Sequence, residues 1–295
     1  MALILSFIHW NPDVVAFSIG AFGVRWYSLC WCIGLLSVYM LEHKLFRDQR
    51  IPEEKFEPLF IYCFLGILIG ARLGHCLFYE PGYFLSHPLE MVLPMRQDAA
   101  GSWHFTGYEG LASHGGTIGL ILALWLYVRK TKLPLMQVLD NIAIVTPICA
   151  CAIRLGNLMN SEIIGRPTDL PWAFVFERVD MLPRHPGQLY EAICYALFFF
   201  IGWWFYRHSH SIQTDNTSTT QSEPSRIPSV GTGFYFGLCI LLIFTARIFI
   251  ELTKENQVDF ENGMPINMGQ LLSLPFVALG LYCVCRALRK QANNV

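Results

Sequence analysis

The sequence is short of charge: only 15% of its 295 residues are Asp, Glu, Lys or Arg, against roughly 25% in an ordinary soluble domain. With 54% hydrophobic residues beside that shortage, a soluble globular chain is excluded and a membrane protein is implied. The net charge is −1, so there is no basic field to attract nucleic acid. Ten cysteines occur without a CxxC pair or a Cys/His cluster at zinc spacing. Cys30/Cys32, Cys149/Cys151 and Cys283/Cys285 lie inside apolar runs and read as small core residues. No Lys or Arg precedes Arg25, so the basic n-region of a cleavable signal peptide is missing, and the first helix is expected to serve as both anchor and targeting signal. An internal repeat of the kind that marks many transporters is also missing.

What the chain does have is apolar length. Runs of about 18 residues or more cross a hydrocarbon core, and seven can be placed, at roughly 24–42, 56–79, 111–128, 138–158, 189–206, 233–252 and 269–288. The expected fold is an all-α polytopic membrane protein, a single integral domain over 1–295 with seven transmembrane helices. Basic residues orient it. Lys44, Arg47, Arg50, Lys55, Arg129, Lys130, Lys132, Arg207, Arg226, Arg286, Arg289 and Lys290 fall on one side, and only Arg25, Arg96, Arg166, Arg178, Arg184 and Lys254 on the other. Positive residues mark the cytoplasm, so the N-terminus is expected outside and the C-terminus inside.

Residues 1–23 read as an interfacial arm with Phe7, Trp10 and Phe17 at membrane level. Two long outer loops follow, 80–110 with Trp103-His104-Phe105 and 163–188 with Trp172-Ala173-Phe174-Val175-Phe176 as a short strand. Together they are expected to build a small extracytoplasmic cap. Residues 208–230 are polar and rich in Ser, Thr and Pro, the composition of a disordered cytoplasmic linker. His208 and His210 within it read as solvated side chains.

Three arginines, Arg72, Arg154 and Arg247, interrupt apolar runs. At about 2.5–3.5 kcal/mol each near the bilayer centre, they would together cost on the order of 8–10 kcal/mol if deep and unpaired, comparable with the whole stability of a domain. Something anionic is expected to answer them. In the assigned orientation Arg72, Arg154/Asn157 and Arg247/Glu251 fall at the outer ends of their helices, and Tyr27, His114, Glu191 and Gln270 at the outer starts of theirs. Snorkelling would explain some of these groups, but it would equally place polar groups at the inner ends, where the sequence has ordinary loop Lys and Arg. Spacing adds detail. Arg154, Asn157 and Ser161 stand at i, i+3 and i+7, on one face if the helix continues that far. Arg247 and Glu251 stand at i, i+4, either as an internal salt bridge or with Glu251 holding Arg247 for an anion. Arg72, His75 and Tyr79 share a face beside a Gly66-xxx-Gly70-xxx-Gly74 ladder that lets another helix approach closely. Ser113-His114-Gly115-Gly116 sets a histidine, packed or reactive, beside uncovered backbone.

Six blocks in order carry a resemblance: Gly70-Ala71-Arg72-Leu73-Gly74, Gly110-Leu111-Ala112-Ser113-His114-Gly115-Gly116, Arg154-Leu155-Gly156-Asn157-Leu158-Met159-Asn160-Ser161-Glu162, His185-Pro186-Gly187-Gln188-Leu189-Tyr190-Glu191, Arg247-Ile248-Phe249-Ile250-Glu251 and Met268-Gly269-Gln270-Leu271-Leu272-Ser273-Leu274-Pro275. They span nearly the whole apolar chain, and the chain resembles the bacterial phosphatidylglycerol:prolipoprotein diacylglyceryl transferases. That resemblance implies a seven-helix enzyme of the bacterial inner membrane, active at the outer leaflet without metal or organic cofactor. Its partners would be phosphatidylglycerol and preprolipoprotein signal peptides with a lipobox cysteine, whose thiol receives the diacylglyceryl group as glycerol phosphate leaves. The matching blocks carry the family's important positions onto Tyr27, His114, Arg154, Asn157, Glu162, Arg247 and Glu251. Two positions depart. Ile243 stands where the family often has a tyrosine, and Lys254 where it often has an arginine.

The chemistry implied is attack by sulfur on the glyceryl carbon that bears the phosphate ester. Arg154 and Arg247 are assigned to the phosphate, because a guanidinium fork donates two hydrogen bonds and stays charged. Asn157 and Glu162 orient headgroup hydroxyls or the arginines. His114 is the candidate general base for a thiol that at pH 7 lies about 2 kcal/mol from thiolate, with water or the arginine field as competing activators. Arg72, Glu191, Glu251, Gln270 and Tyr27 complete the substrate-binding set. Two other classes stay open: a transporter with an outer anion-binding vestibule, which would need polar groups at its inner end, and an intramembrane protease. The protease would need a nucleophile beside His114, and adjacent Ser113 points elsewhere on a helix.

Overall fold

The computed structural model describes residues 7–20, 22–98, 101–105, 110–214, 227–255 and 266–293. Long apolar runs without internal charge form helices because a backbone in hydrocarbon must satisfy its own hydrogen bonds. In chain order the elements are β1 (Ile8–Trp10), β2 (Val15–Ile19), β3 (Phe22–Arg25), α1 (Trp26–Asp48), α2 (Glu53–Phe78), the short α3 (Pro81–Phe84) and α4 (Pro88–Val92), β4 (Met95–Gln97), β5 (Trp103–Phe105), α5 (Ser113–Thr131), α6 (Leu135–Asn160), β6 (Phe174–Phe176), β7 (Pro183–Arg184), α7 (Gly187–Thr214), α8 (Phe234–Glu251) and α9 (Met268–Ala292). Six helices, α1, α2, α6, α7, α8 and α9, are long and apolar enough to cross a membrane. The expected third span appears as α5, but its 19 residues carry Ser-His-Gly-Gly-Thr at one end and Arg129 and Lys130 near the other, which dilutes its apolar character.

The all-α expectation needs correction, because three small sheets accompany the helices. The segment 172–176 supplies β6, which pairs in parallel with β1 and antiparallel with β7. The N-terminal segment is therefore sheet as much as arm. Trp10 is no free membrane aromatic: its indole N–H donates to the Leu158 carbonyl at 2.9 Å, and its ring packs with Leu158, Phe174 and Phe176. Phe17, on the β2–β3 hairpin, stays exposed. The polar segment expected as a linker begins late, since α7 runs through His208 to Thr214. Residues 215–226 of that segment lie outside the described residues.

The chain divides into two compact units, 43–135 and the remainder. In 43–135, α2 and α5 meet along glycines. A Cβ on Gly66, Gly70 or Gly74 would strike Gly119 or Gly115, and the reverse holds, so the ladder brings two helices into backbone contact. Tyr127 closes the other end by donating to the Lys55 carbonyl at 2.6 Å. Between α2 and α5 the chain folds as α3, α4 and the β4–β5 hairpin around Glu90, whose carboxylate accepts from the Tyr83 hydroxyl at 2.6 Å and the Gln97 amide at 3.1 Å.

The other unit holds α6 to α9 and most of α1. α8 and α9 cross closely at Gly237 and Gly280. The end at which α6 begins is not free of buried polar groups, contrary to expectation: Asp140, Asn141 and Glu42 are all buried. Asp140 has a structural task there. Its carboxylate accepts from the amides of Gly231, Gly233 and Phe236 at 2.8–2.9 Å, a side chain serving the orphan donors of α8's first turn.

Candidate active site

The site grows from the way α6 stops. Ser161 takes φ +58°, its amide returns to the Leu158 carbonyl at 3.1 Å, and the Glu162 amide returns to the Asn157 carbonyl at 3.0 Å. This is the Schellman pattern of helix termination, with serine where glycine is usual. Ser161 therefore leaves the face shared by Arg154 and Asn157, and the i, i+7 alignment does not form. The reversal brings Glu162 back instead. In this motif the residue after the left-handed position commonly makes an apolar contact with the last full turn. Here that contact is polar: Asn157 Nδ2 donates to Glu162 Oε2 at 3.0 Å, and Asn160 Nδ2 donates to Glu162 Oε1 at 3.0 Å. Arg154 Nη1 donates to Asn157 Oδ1 at 3.2 Å. One amide thus sits between the guanidinium and the carboxylate.

On its other flank Arg154 meets Glu191, one turn into α7. Its Nε lies 2.5 Å from Glu191 Oε2; the N–H points off the hydrogen-bond axis, so the contact is ionic. Glu191 is buried, with its other oxygen accepting from Lys254 Nζ at 2.7 Å. Lys254 in turn lies 3.2 Å from Glu251 Oε2. Tyr195, one turn beyond Glu191, is buried within electrostatic reach of Arg154 and Arg247. Arg247 itself is exposed. It makes no ion pair with a described residue; the expected Arg247–Glu251 bridge is not formed.

The remaining expected residues are placed as follows. The Tyr27 ring lies over Gly156, where a Cβ would meet it at 3.0 Å; α1 thereby reaches the same turn of α6. Gln270 is buried and its amide is engaged at both ends: Oε1 accepts from the Asn267 amide at 3.2 Å, and Nε2 donates to the Ile248 carbonyl at 2.9 Å. With Asn267 accepting from the Gln270 amide it forms the capping box of α9. Arg72 and His114 belong to unit 43–135. Arg72 donates to the carbonyls of Glu90 at 2.5 Å and Met91 at 3.2 Å and lies over the Phe84 ring. Its fork ties α4 to α2. His114 is exposed in the first turn of α5, but Gly115 and Gly116 are buried, Gly115 against Gly70 and Gly74 of α2, so the backbone expected to be uncovered beside it is covered.

Sequence reasoning passed over Tyr195, Asn160 and Gln188. Gln188 is wholly buried, with neither amide atom hydrogen-bonded; it stood inside a motif block, and nothing but burial distinguishes it. A neighbouring network braces the loops. Arg184 donates to Asp180, to Glu255 Oε1 at 2.6 Å and to the Gly165 carbonyl at 3.2 Å. Those bonds hold the Asp180 carboxyl below its usual range and raise the Arg184 guanidinium, while burial lowers the His185 imidazole. Among the described residues no three His, Cys, Asp or Glu side chains gather as a metal set. The arrangement suits an anion held by guanidinium groups, with carboxylates available to receive hydroxyl donors.

A family profile described as prolipoprotein diacylglyceryl transferase matches residues 14–286. Among curated proteins, the chain is 56% identical over 280 residues to a phosphatidylglycerol–prolipoprotein diacylglyceryl transferase of Bacteroides fragilis, covering 95% of each chain. It is 40% identical to the protein of that name from Tolumonas auensis, over 97% of this chain and 100% of the relative. It is 39% identical to that from Chloroherpeton thalassium, over 98% and 97%.

Proposed function

The chain belongs to the prolipoprotein diacylglyceryl transferase family, and on that footing we propose that it transfers the diacylglyceryl group of phosphatidylglycerol to the lipobox cysteine of preprolipoproteins. The observation that carries the reading is Arg154, fixed by Asn157 and Glu191, with Arg247 left without an ionic partner among the described residues. In the proposed step the cysteine sulfur bonds to the glyceryl carbon, the carbon–oxygen bond to phosphate breaks, and glycerol phosphate leaves with that electron pair. The thiol proton goes to His114. Arg154 and Arg247 hold the diester and then, more strongly, the additional charge of the leaving group, and that excess lowers the barrier.

Asn157 and Glu162 face the headgroup hydroxyls. Tyr27 walls the site through Gly156, and Glu191 and Glu251 act on the cations. Gln270 and Arg72 serve as positioning residues, given the caps and carbonyls that occupy them. The proposed setting is the bacterial inner membrane, crossed seven times with α5 as the span beyond the six apolar helices. The N-terminus lies outside, and the small sheets and short helices cap the outer leaflet. The transporter reading finds no support among the relatives named above. Purified enzyme given labelled phosphatidylglycerol and a lipobox peptide should yield a thioether-linked diacylglyceryl peptide; none formed by active, folded chain would overturn the proposal.

A further inference from the structure

The spacing of Arg247 and Glu251, four apart on α8, ordinarily favours an ion pair. The structure makes a different one. α8 ends at Glu251, and the chain turns so that Lys254 comes back beneath it, its Nζ 3.2 Å from Glu251 Oε2 and 2.7 Å from Glu191 Oε1. Glu251 is drawn the same way by α9: a Cβ on Gly269 would collide with its carboxylate, so only glycine admits it to that first turn, at the helix end whose dipole favours an anion. The Lys254 side chain is 9% exposed and the two carboxylates less than that. Lys254 and Arg154 then balance Glu191 and Glu251, and Arg247 is the cation left over.

We infer that Lys254 is a positioning residue that keeps Glu251 off Arg247, and so leaves the Arg247 guanidinium open to the lipid phosphate. This rests on the transferase reading above. Without Lys254, Glu191 would keep Arg154 but Glu251 would lose its ion pair, and would turn to Arg247, one turn back on the same helix face. The phosphate would lose its partner before the chemical step rather than during it. Lysine suits the task because one compact ammonium can lie between two carboxylates.

The test is steady-state transfer from phosphatidylglycerol to a lipobox peptide by purified wild type, Lys254→Met, Lys254→Arg, Glu251→Gln and Lys254→Met/Glu251→Gln. Lys254→Met should raise KM for phosphatidylglycerol about tenfold with kcat changed by less than about threefold, the signature of lost ground-state binding. Lys254→Arg should restore KM. The double variant, which has no carboxylate to capture Arg247, should bind lipid better than Lys254→Met. A merely structural tie would lower folded yield and kcat together and make the double variant worse. Unchanged KM in Lys254→Met, or equal KM in the single and double variants, overturns the inference while wild-type transfer stands. Should Lys254→Met fail to accumulate, the double variant compared with Glu251→Gln decides, and a higher KM in the double overturns it. A wild type that transfers nothing removes the transferase reading and this inference with it.

Discussion

Replacing Glu191 by glutamine tests the energetic centre of the site with a change of almost no volume. Glu191 is 1% exposed, with Arg154 Nε at 2.5 Å and Lys254 Nζ at 2.7 Å. Glutamine keeps one acceptor and removes the charge, leaving Lys254 with Glu251 alone and Arg154 without its carboxylate. Removing one partner of a buried pair typically costs about 3–5 kcal/mol, mainly because the survivor is left uncompensated. Glu191→Gln should therefore lower the midpoint of thermal unfolding in a fixed detergent far more than a surface substitution does, and transfer should fall as Arg154 loses its fixed orientation. Adding Lys254→Met removes the second cation, with Glu251 then turning to Arg247. The double variant should recover part of the loss, with a coupling of roughly 1–3 kcal/mol for groups in direct contact. Additive losses, to within about 0.5 kcal/mol, would show that the three side chains do not act as one ionic unit and would refute the reasoning.

Other expectations follow from single contacts. Arg154→Lys keeps charge but loses the fork that reaches Glu191 and Asn157 at once; kcat should fall about 100-fold, as when one preorganised donor is lost, and full turnover would remove Arg154 from the phosphate. His114→Gln should slow single-turnover transfer by about 100-fold or more while lipid binding persists, and an unchanged rate would exclude it as the base. Ser161→Gly should stabilise the chain by up to about 1 kcal/mol, because φ +58° is strained for serine and free for glycine; Ser161→Val should destabilise it. Asp180 titrates below its usual range because Arg184 holds it, so its stabilising contribution is full above the ordinary carboxylate value near 4 and is lost as pH falls through the depressed one. Unfolding midpoints should be flat in this respect from neutrality down to about pH 5 and then drop, and Asp180→Asn should lack that drop.

The spans and the helix contact at Gly66, Gly70 and Gly74 were legible because length, apolarity and a four-residue glycine repeat are local properties of the chain. Arg72, Arg154 and Arg247 stood out as groups in need of partners for a similar reason: a guanidinium in an apolar run needs an explanation wherever the run goes. What each residue touches was not legible, because partners are chosen by turns. Glu251 met Lys254 rather than Arg247 because α8 ends there and the chain doubles back. Ser161 left the face of Arg154 because the helix reverses at it. Arg72 and Gln270 found backbone carbonyls, of α4 and of α8, that no spacing rule points to. The strands β1, β2 and β3 escaped notice because three to five residues beside a long apolar run give little periodicity to read.

The charged set is also hard to explain as a stabilising device. Exchanging a buried ion network for apolar side chains of like volume is often neutral, or stabilising by about 1–4 kcal/mol, and Lys254, Glu191 and Glu251 occupy buried positions where such side chains would fit the rule. A chain needing only a packed helix end has no use for them. Arg154 changes that account. In the proposed function its guanidinium must remain charged, partly sheltered and aimed at a phosphate, and a cation in that position calls for a carboxylate behind it; that carboxylate, Glu191, is 1% exposed and takes a second cation, Lys254. Lys254 reaches the next carboxylate, Glu251. Each buried charge is thus the consequence of the one before it, and the series ends where Glu251 lies against Gly269 in the first turn of α9, the end of a helix that favours a negative charge.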